Sequence, residues 1–220
     1  GLYKKMKIGD HLLYLAQLKG LSHKDAKKEL IHWMEKFDII DWWPKKIEEL
    51  SKGMQQKIQF IVTILHKPDL IILDEPFSGL DPINANLIKD EILNLNKNGA
   101  TLIFSTHRME QVEEICEEIV LINNGANVLQ GKVKDIKNSY KDNIFNIDFS
   151  SPTQVSLPEQ FAFKQINDFS IQVKLEENQS GNEVLQLLLN QQLNISGFNE
   201  ILPSLNEIFI RRVGQSNSLH

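Results

Sequence analysis

Cysteine is almost absent from this chain. Of its 220 residues only Cys116 carries a thiol, so no internal disulfide framework can exist and the composition fits a reducing compartment. Long apolar runs are missing as well. No stretch approaches the ~20 consecutive apolar residues that a membrane-spanning helix needs. Positive charge is not in excess either: a formal net charge of −5 offers no electrostatic reason to expect nucleic acid as a partner. There is no internal repeat, no low-complexity segment and no long heptad array. Gly1 is preceded by neither a methionine nor a signal-like segment, from which we expect the N-terminal part of a longer protein to be missing. What remains reads as a soluble, cytoplasmic globular chain, long enough for one large or two small domains.

The first 66 residues read as a helical block. Asp10 is placed to cap a helix carrying Leu12, Leu13, Ala16 and Leu18, and Ser22 followed by Asp25 marks a second helix start. That second helix should bury Leu30, Trp33, Met34 and Phe37. After Trp42, Trp43 and Pro44, a third helix is expected near Ser51, with Met54, Ile58, Ile61, Val62 and Leu65 on one stripe. Of the three tryptophans, Trp33 reads most clearly as core.

Beyond His66 the pattern changes to alternating strand and helix, which favours a parallel sheet. Leu70 to Leu73 is a short continuous apolar run of the kind buried on both faces of a sheet. Pro82 after Asp81 opens a helix with Ile83, Leu87, Ile88 and Leu95 along its face, and Thr101 to Ser105 forms the next strand. A helix near Met109 to Cys116 and a hairpin across Asn123, Asn124 and Gly125 follow. Lys132 to Asp142, polar and charged, is the best linker candidate. The spacing thus predicts segments at 1–66 (helical), 67–135 (α/β) and 141–213 (a small α+β domain). In the last, Phe145, Ile147 and Phe149 alternate with polar residues, as do Phe169, Ile171, Val173 and Leu175. Val184 to Leu189 reads as a helix, Ile195 to Ile201 as a strand, and Pro203 opens a last helix with Leu205, Ile208 and Phe209 inward.

The residues that carry chemistry lie where strands end. The run Leu70-Ile71-Ile72-Leu73-Asp74-Glu75-Pro76 puts two carboxylates at the C-terminal edge of a sheet, the edge at which open α/β sheets bind ligands. In phosphoryl transfer an aspartate there can hold Mg²⁺ through water, while its neighbour positions or deprotonates the attacking water. The same run can also be a strand that merely ends in a polar turn. Ser51 and Gly53 stand at a helix N-terminus, where free backbone N–H groups and the positive end of the dipole attract phosphate, although serine there is also an ordinary cap. His107 follows the second strand, and a neutral imidazole at that place can bond a phosphate oxygen or the attacking water. An isolated histidine is more often solvated or structural, so its case rests on Ser105, Thr106 and its distance from Glu75.

Taken in order, Leu50-Ser51-Lys52-Gly53-Met54-Gln55-Gln56-Lys57, the Asp-Glu-Pro run, Ser78-Gly79-Leu80-Asp81 and Ser105-Thr106-His107 resemble the signature motif, Walker B strand, D-loop and switch histidine of ATP-binding cassette (ABC) transporter ATPases. The resemblance covers Gly1 to about Gly131. It implies a partial P-loop NTPase core of the α/β class with a helical subdomain, ATP and Mg²⁺ as ligands, Asp74 holding Mg²⁺ through water, and Glu75 and His107 as catalytic residues. It further implies that Ser51 and Gly53, and more weakly Lys52, bind the γ-phosphate of ATP held by a second ATPase subunit, with Ser78, Gly79 and Asp81 at that interface. Asp81 is expected to cap the following helix too. Lys52 stands where the family usually has a glycine and Met54 where it has glutamine. Lys52 brings a cation that can face phosphate.

A phosphate loop needs Gly-x-x-x-x-Gly-Lys followed by Ser or Thr. Here Gly131-Lys132 is followed by Val133, with Ala126 where the first glycine belongs. The chain on its own is therefore expected to bind ATP feebly and to be inactive. From Lys141 onward, ending in Pro203-Ser204-Leu205-Asn206-Glu207-Ile208-Phe209, it resembles the accessory domain of export-type, sodium-exporter-like ABC ATPases, the resemblance implying a regulatory or dimer-supporting role. The expected partners are a second ATPase subunit and an integral membrane permease, not nucleic acid. The expected location is the inner face of the cell membrane. A non-catalytic interaction module is the competing class, and an ABC ATPase of translation or DNA repair would normally show tandem cassettes or coiled coils.

Overall fold

A computed structural model describes Tyr3 and residues 5 to 217, with side chains described as far as Gly214. The chain forms two compact units, one ending at His107 and the other beginning at Arg108.

The first unit starts with α1 (Ile8–Leu18), α2 (His23–Lys36) and α3 (Lys52–Ile64), with two short 3-10 helices, Ile40–Trp42 and Ile47–Glu49, between α2 and α3. Ser22 accepts from the Asp25 amide and Ser51 from the Met54 amide, so both helix starts are side-chain capped as expected. Asp10 is not a cap. The helix begins earlier, at Ile8, and Asp10 lies in its first turn, where its charge suits the dipole. Leu12, Leu30, Met34, Phe37, Ile58 and Ile61 form the centre of the helical core together with Trp33. Gly9 packs against the Trp43 ring so closely that a Cβ there would meet it at 2.2 Å.

Next come β1 (Leu70–Asp74), α4 (Pro82–Lys97) and β2 (Thr101–Ser105), with β1 and β2 paired in parallel. β1 departs from the two-faced burial its apolar run implied: Ile71 and Leu73 are buried, while Leu70 is 51% and Ile72 66% exposed. Ile103 of β2 is 55% exposed as well, so one face of this two-stranded sheet is not covered by the described residues. Along α4, Ile88 and Ile92 are buried, but Ile83, in its first turn, is exposed.

The second unit holds α5 (Met109–Ile115), the antiparallel hairpin β3 (Glu118–Asn123) and β4 (Ala126–Lys132), α6 (Val133–Ser139), β5 (Ile144–Phe149), β6 (Ala162–Asn167), β7 (Ser170–Lys174), α7 (Gly181–Asn190), β8 (Ile195–Ile201) and α8 (Leu205–Asn217). The hairpin turns at Asn124 and Gly125, both at positive φ, as a tight two-residue turn of this kind requires. The expected linker is instead α6: Val133 and Ile136, one helical turn apart, are buried with Leu205 and Ile208 of α8. A four-stranded antiparallel sheet in the order β6-β7-β5-β8 buries Ile147, Phe149, Ile171 and Val173 against Val184 and Leu188 of α7. Its edge strand β6 is exposed throughout and so shows no alternation. Among the described residues, no helix is long and apolar enough to cross a membrane.

Candidate functional site

The parallel register pairs Asp74 with Ser105, which brings the C-terminal ends of β1 and β2 side by side. Everything that leaves those ends is therefore gathered at one edge. The Ser105 hydroxyl donates to Asp74 Oδ1. The Glu75 amide donates to the Ser105 carbonyl at 3.0 Å, and the chain then turns sharply, with Glu75 at φ +45°. That conformation is uncommon for a residue with a side chain, and backbone of this kind concentrates at functional sites.

The turn aims the Glu75 carboxylate at the residues after β2. Oε1 accepts from the His107 amide at 3.0 Å and lies 2.6 Å from His107 Nδ1, while the Thr106 hydroxyl donates to Oε2 at 3.3 Å. Partial burial pushes the Glu75 carboxyl up, but the His107 side-chain and backbone hydrogen bonds, the His107 charge and the Thr106 hydroxyl together hold it below the usual range. Glu75 is thus ionised at neutral pH and accepts from Nδ1–H. In a neutral ring Nε2 is then an acceptor, so a bond from His107 to a phosphate oxygen needs either the imidazolium or a turned ring.

The other residues singled out from the sequence take two kinds of position. Ser51 and Asp81 each serve their own helix start, Asp81 accepting from the Asn84 amide at 3.0 Å ahead of Pro82. The Asn84 backbone and side-chain hydrogen bonds hold the Asp81 carboxyl below its ordinary value. Gly53, by contrast, abuts Gly79, and a Cβ on Gly53 would stand 2.6 Å from the Gly79 carbonyl oxygen. Gly79, at φ +76°, lies under the aliphatic stem of Lys52. The close backbone approach that Gly53 permits is thus made to Gly79 of the same chain.

Two further residues of α3 gave no signal of their own in the sequence beyond their place in a polar run, and one of them reaches this site. Gln56 Nε2 donates to the Glu75 carbonyl at 3.3 Å and to the Pro76 carbonyl at 3.1 Å. Lys57 is buried, with Nζ 3.5 Å from the Phe37 carbonyl and 5.9 Å from the Trp42 ring centre. Burial pushes the Lys57 ammonium down, and Asp81 and Asp38 oppose this. Helical spacing from Gly53, at i+3, is the signal that could have placed Gln56 on the face toward the turn.

As for metal, no group of three or more His, Cys, Asp or Glu side chains is placed to hold an ion among the described residues. Mg²⁺ does not need such a cage. It keeps several waters and takes one or two carboxylates together with substrate phosphates. Asp74, exposed at the sheet edge and oriented by Ser105, fits that donor set.

Comparison with known proteins places the chain in a family. The chain is 45% identical over 216 residues to the uncharacterized ABC transporter ATP-binding protein YhaQ of Bacillus subtilis strain 168, a match covering 97% of this chain and 72% of that protein. An uncharacterized ABC transporter ATP-binding protein of Alkalihalophilus pseudofirmus is 41% identical over 216 residues, covering 97% and 80%. This chain belongs to the ATP-binding proteins of ABC transporters. A solved ATP-binding subunit of an ABC transporter superposes with a TM-score of 0.60 at 29% identity, covering 64% of this chain and 58% of that one. The α/β class and P-loop NTPase kinship of the ABC ATPase follow from these matches. A family described as the C-terminal domain of DrrA1-3-like ATP-binding proteins matches residues 131–213, and one described as an AAA domain, putative AbiEii toxin of a type IV toxin–antitoxin system, matches residues 24–112.

Proposed function

We propose that this ABC ATPase chain hydrolyses ATP as one of two paired subunits and so drives export through a membrane permease, lying at the inner face of the cell membrane. The observation that carries the catalytic part is the Glu75 carboxylate at the end of β1, held by His107 and Thr106 beside Asp74. A carboxylate fixed by three donors at a sheet edge can orient the attacking water and take its proton, and His107 can orient the same water. Bound with nucleotide, Mg²⁺ would neutralise phosphate charge, and Asp74 would hold it through water. Ser51 and Gly53 present the start of α3 to the γ-phosphate of the partner subunit's ATP. The Ser51 oxygen accepts from Met54, which leaves the hydroxyl proton for the phosphate. Lys52 adds charge, and Ser78, Gly79 and Asp81 line the pairing surface.

A relative named for resistance, the linearmycin resistance ATP-binding protein LnrL of Bacillus subtilis strain 168, 28% identical over 224 residues and matched over 72% of its length, fits the export part of this reading. By itself the chain has no Gly-x-x-x-x-Gly-Lys-Ser/Thr run to cradle the β- and γ-phosphates, so it binds Mg-ATP weakly and does not turn it over. Micromolar affinity by calorimetry or steady phosphate release would overturn that. The assignment of Glu75 is tested by Glu75→Gln in a protein that carries a phosphate loop together with this segment. Turnover should fall by roughly 10²–10⁴ while ATP binding and ATP-driven pairing persist. Near-wild-type hydrolysis would remove Glu75 from the role.

A further inference from the structure

We propose that Gln56 is a positioning residue that clamps the Glu75 turn and couples it to the N-terminus of α3; this rests on the reading of Glu75 as the base. Glu75 occupies the left-handed region at φ +45°, a conformation that persists only where its surroundings over-determine it. The surroundings here are specific. The Glu75 amide is held by the Ser105 carbonyl at 3.0 Å, and the Glu75 carbonyl accepts from the Ser78 amide at 3.0 Å and from Gln56 Nε2 at 3.3 Å. The same Nε2 donates to the carbonyl of buried Pro76 at 3.1 Å. Both neighbours of this nitrogen are carbonyl oxygens, which can only accept. The atom facing them must therefore be the amide nitrogen, and its two protons serve one carbonyl each. Ser105 and Ser78 bond the turn from its own strand pair and its own loop, whereas Gln56 reaches it from a helix nineteen positions earlier in the chain.

Gln56 does not act alone on that face. Gly53, one helical turn toward the N-terminus, seats against the Gly79 carbonyl so closely that no Cβ fits between them. The helix thus meets the loop from Glu75 to Gly79 at two places a turn apart, one a backbone contact and the other a forked hydrogen bond. A rigid helix held at two points cannot shift or rotate without moving the carbonyls it holds. An anion drawn to the start of α3 is in this way linked to the peptide that aims the Glu75 carboxylate, within one subunit.

The test uses Gln56→Leu, which removes the donor and keeps most of the volume, and Gln56→Lys, which returns a donor of similar reach. Hydrogen exchange on the chain reads the clamp without any catalysis. In Gln56→Leu the amides of Ser78 and His107, which donate to the Glu75 carbonyl and carboxylate, should exchange about tenfold faster. The amides inside α3 should not change, and Gln56→Lys should recover protection. In a protein carrying a phosphate loop, Gln56→Leu should lower kcat about tenfold with KM little altered, and Gln56→Lys should restore it. Unaltered protection of both amides overturns the clamp whatever the turnover, and so does an equal loss throughout α3, which marks a folding defect. Faster exchange with unaltered turnover upholds the clamp and instead sinks the assignment of Glu75 as the base.

Discussion

The two units of this chain hold their sheets in opposite ways. The antiparallel sheet of the second unit carries its own covering: Ile147, Ile171 and Val173 lie fully or almost fully buried under α7. The parallel pair β1 and β2 has a buried face with Ile71 and Leu73, and another on which Ile72 and Ile103 stand open. Sequence pattern foretells only part of the difference, since the open face of β1 was expected to be buried. Alternation of apolar and polar residues in β5 and β7 specifies one core face and one wet face, whereas the unbroken Leu70-Ile71-Ile72-Leu73 run provides apolar side chains for both. Polar groups divide likewise. In the first unit one group of them converges on a sheet edge; in the second some fasten helices together, as Glu113 does by accepting from Lys137 and from the Leu205 amide.

The sheet comparison breaks first if a buried and an open isoleucine turn out to matter equally. Ile171→Ala should cost about 2–5 kcal/mol, because it leaves a cavity in a closed core, while Ile72→Ala should stay within roughly 0.5 kcal/mol in this chain. Equal losses in chemical denaturation would mean that the open face is covered, by self-association for instance. Smaller is Gly53→Ala, whose new methyl overlaps the Gly79 carbonyl and should cost about 1–3 kcal/mol. A thermal midpoint equal to wild type would show that the helix and loop yield at that contact.

The polar fastening of the second unit is sharpened by Glu113→Ala, which leaves the Leu205 amide without its partner and frees Lys137. A loss of about 1–3 kcal/mol is expected by denaturant titration, and a neutral result would mean that water replaces the carboxylate. The smallest effect belongs to Asp142→Asn. Arg211 holds Asp142 through paired hydrogen bonds and keeps its carboxyl below the usual range. A depressed carboxyl contributes stability that is present above its unfolded-state value of about 3.9 and is lost as pH falls through the lower folded value. Both side chains are 40% exposed, so screening limits the effect to under about 1 kcal/mol. The wild-type advantage should vanish in acid and shrink with salt; a difference that persists in strong acid would point to another cause.

Much of this molecule could be read one segment at a time. Ser22 and Ser51 announce their helices because a hydroxyl there satisfies a free backbone amide, and Asn124-Gly125 announces its hairpin because both positions tolerate positive φ. Ile147 and Phe149 of β5, Ile171 and Val173 of β7, and Ile58 and Ile61 of α3 point inward as their periods require, whereas Phe169, expected on the same face, is 49% exposed just ahead of β7. The order of the polar runs around Ser51, Asp74, Ser78 and Ser105 was likewise legible and pointed to the family in which the relatives place the chain. Reading fails where the signal is short or the partner is distant. α6 has Val133 and Ile136 as its buried residues, too few to establish a period, and β6 is an exposed edge with no inner face to display.

What the sequence determined by itself was most of the local inventory: which of the longer segments are helix or strand, where the capped helices start, and which side chains stand at strand ends. Periodicity and caps act within a few residues, so they need no partner to be recognised. The tertiary structure alone decided which of those side chains meet. It placed Glu75 in a left-handed turn against His107, thirty-two positions away, set Gln56 on the carbonyls of that turn, and packed α8 with α6 instead of leaving Lys132 to Asp142 as a linker. These pairings depend on how closely two elements approach. In the case of α3 that approach is set by the missing side chain at Gly53, a feature whose consequence appears only when the Gly79 carbonyl is brought against it.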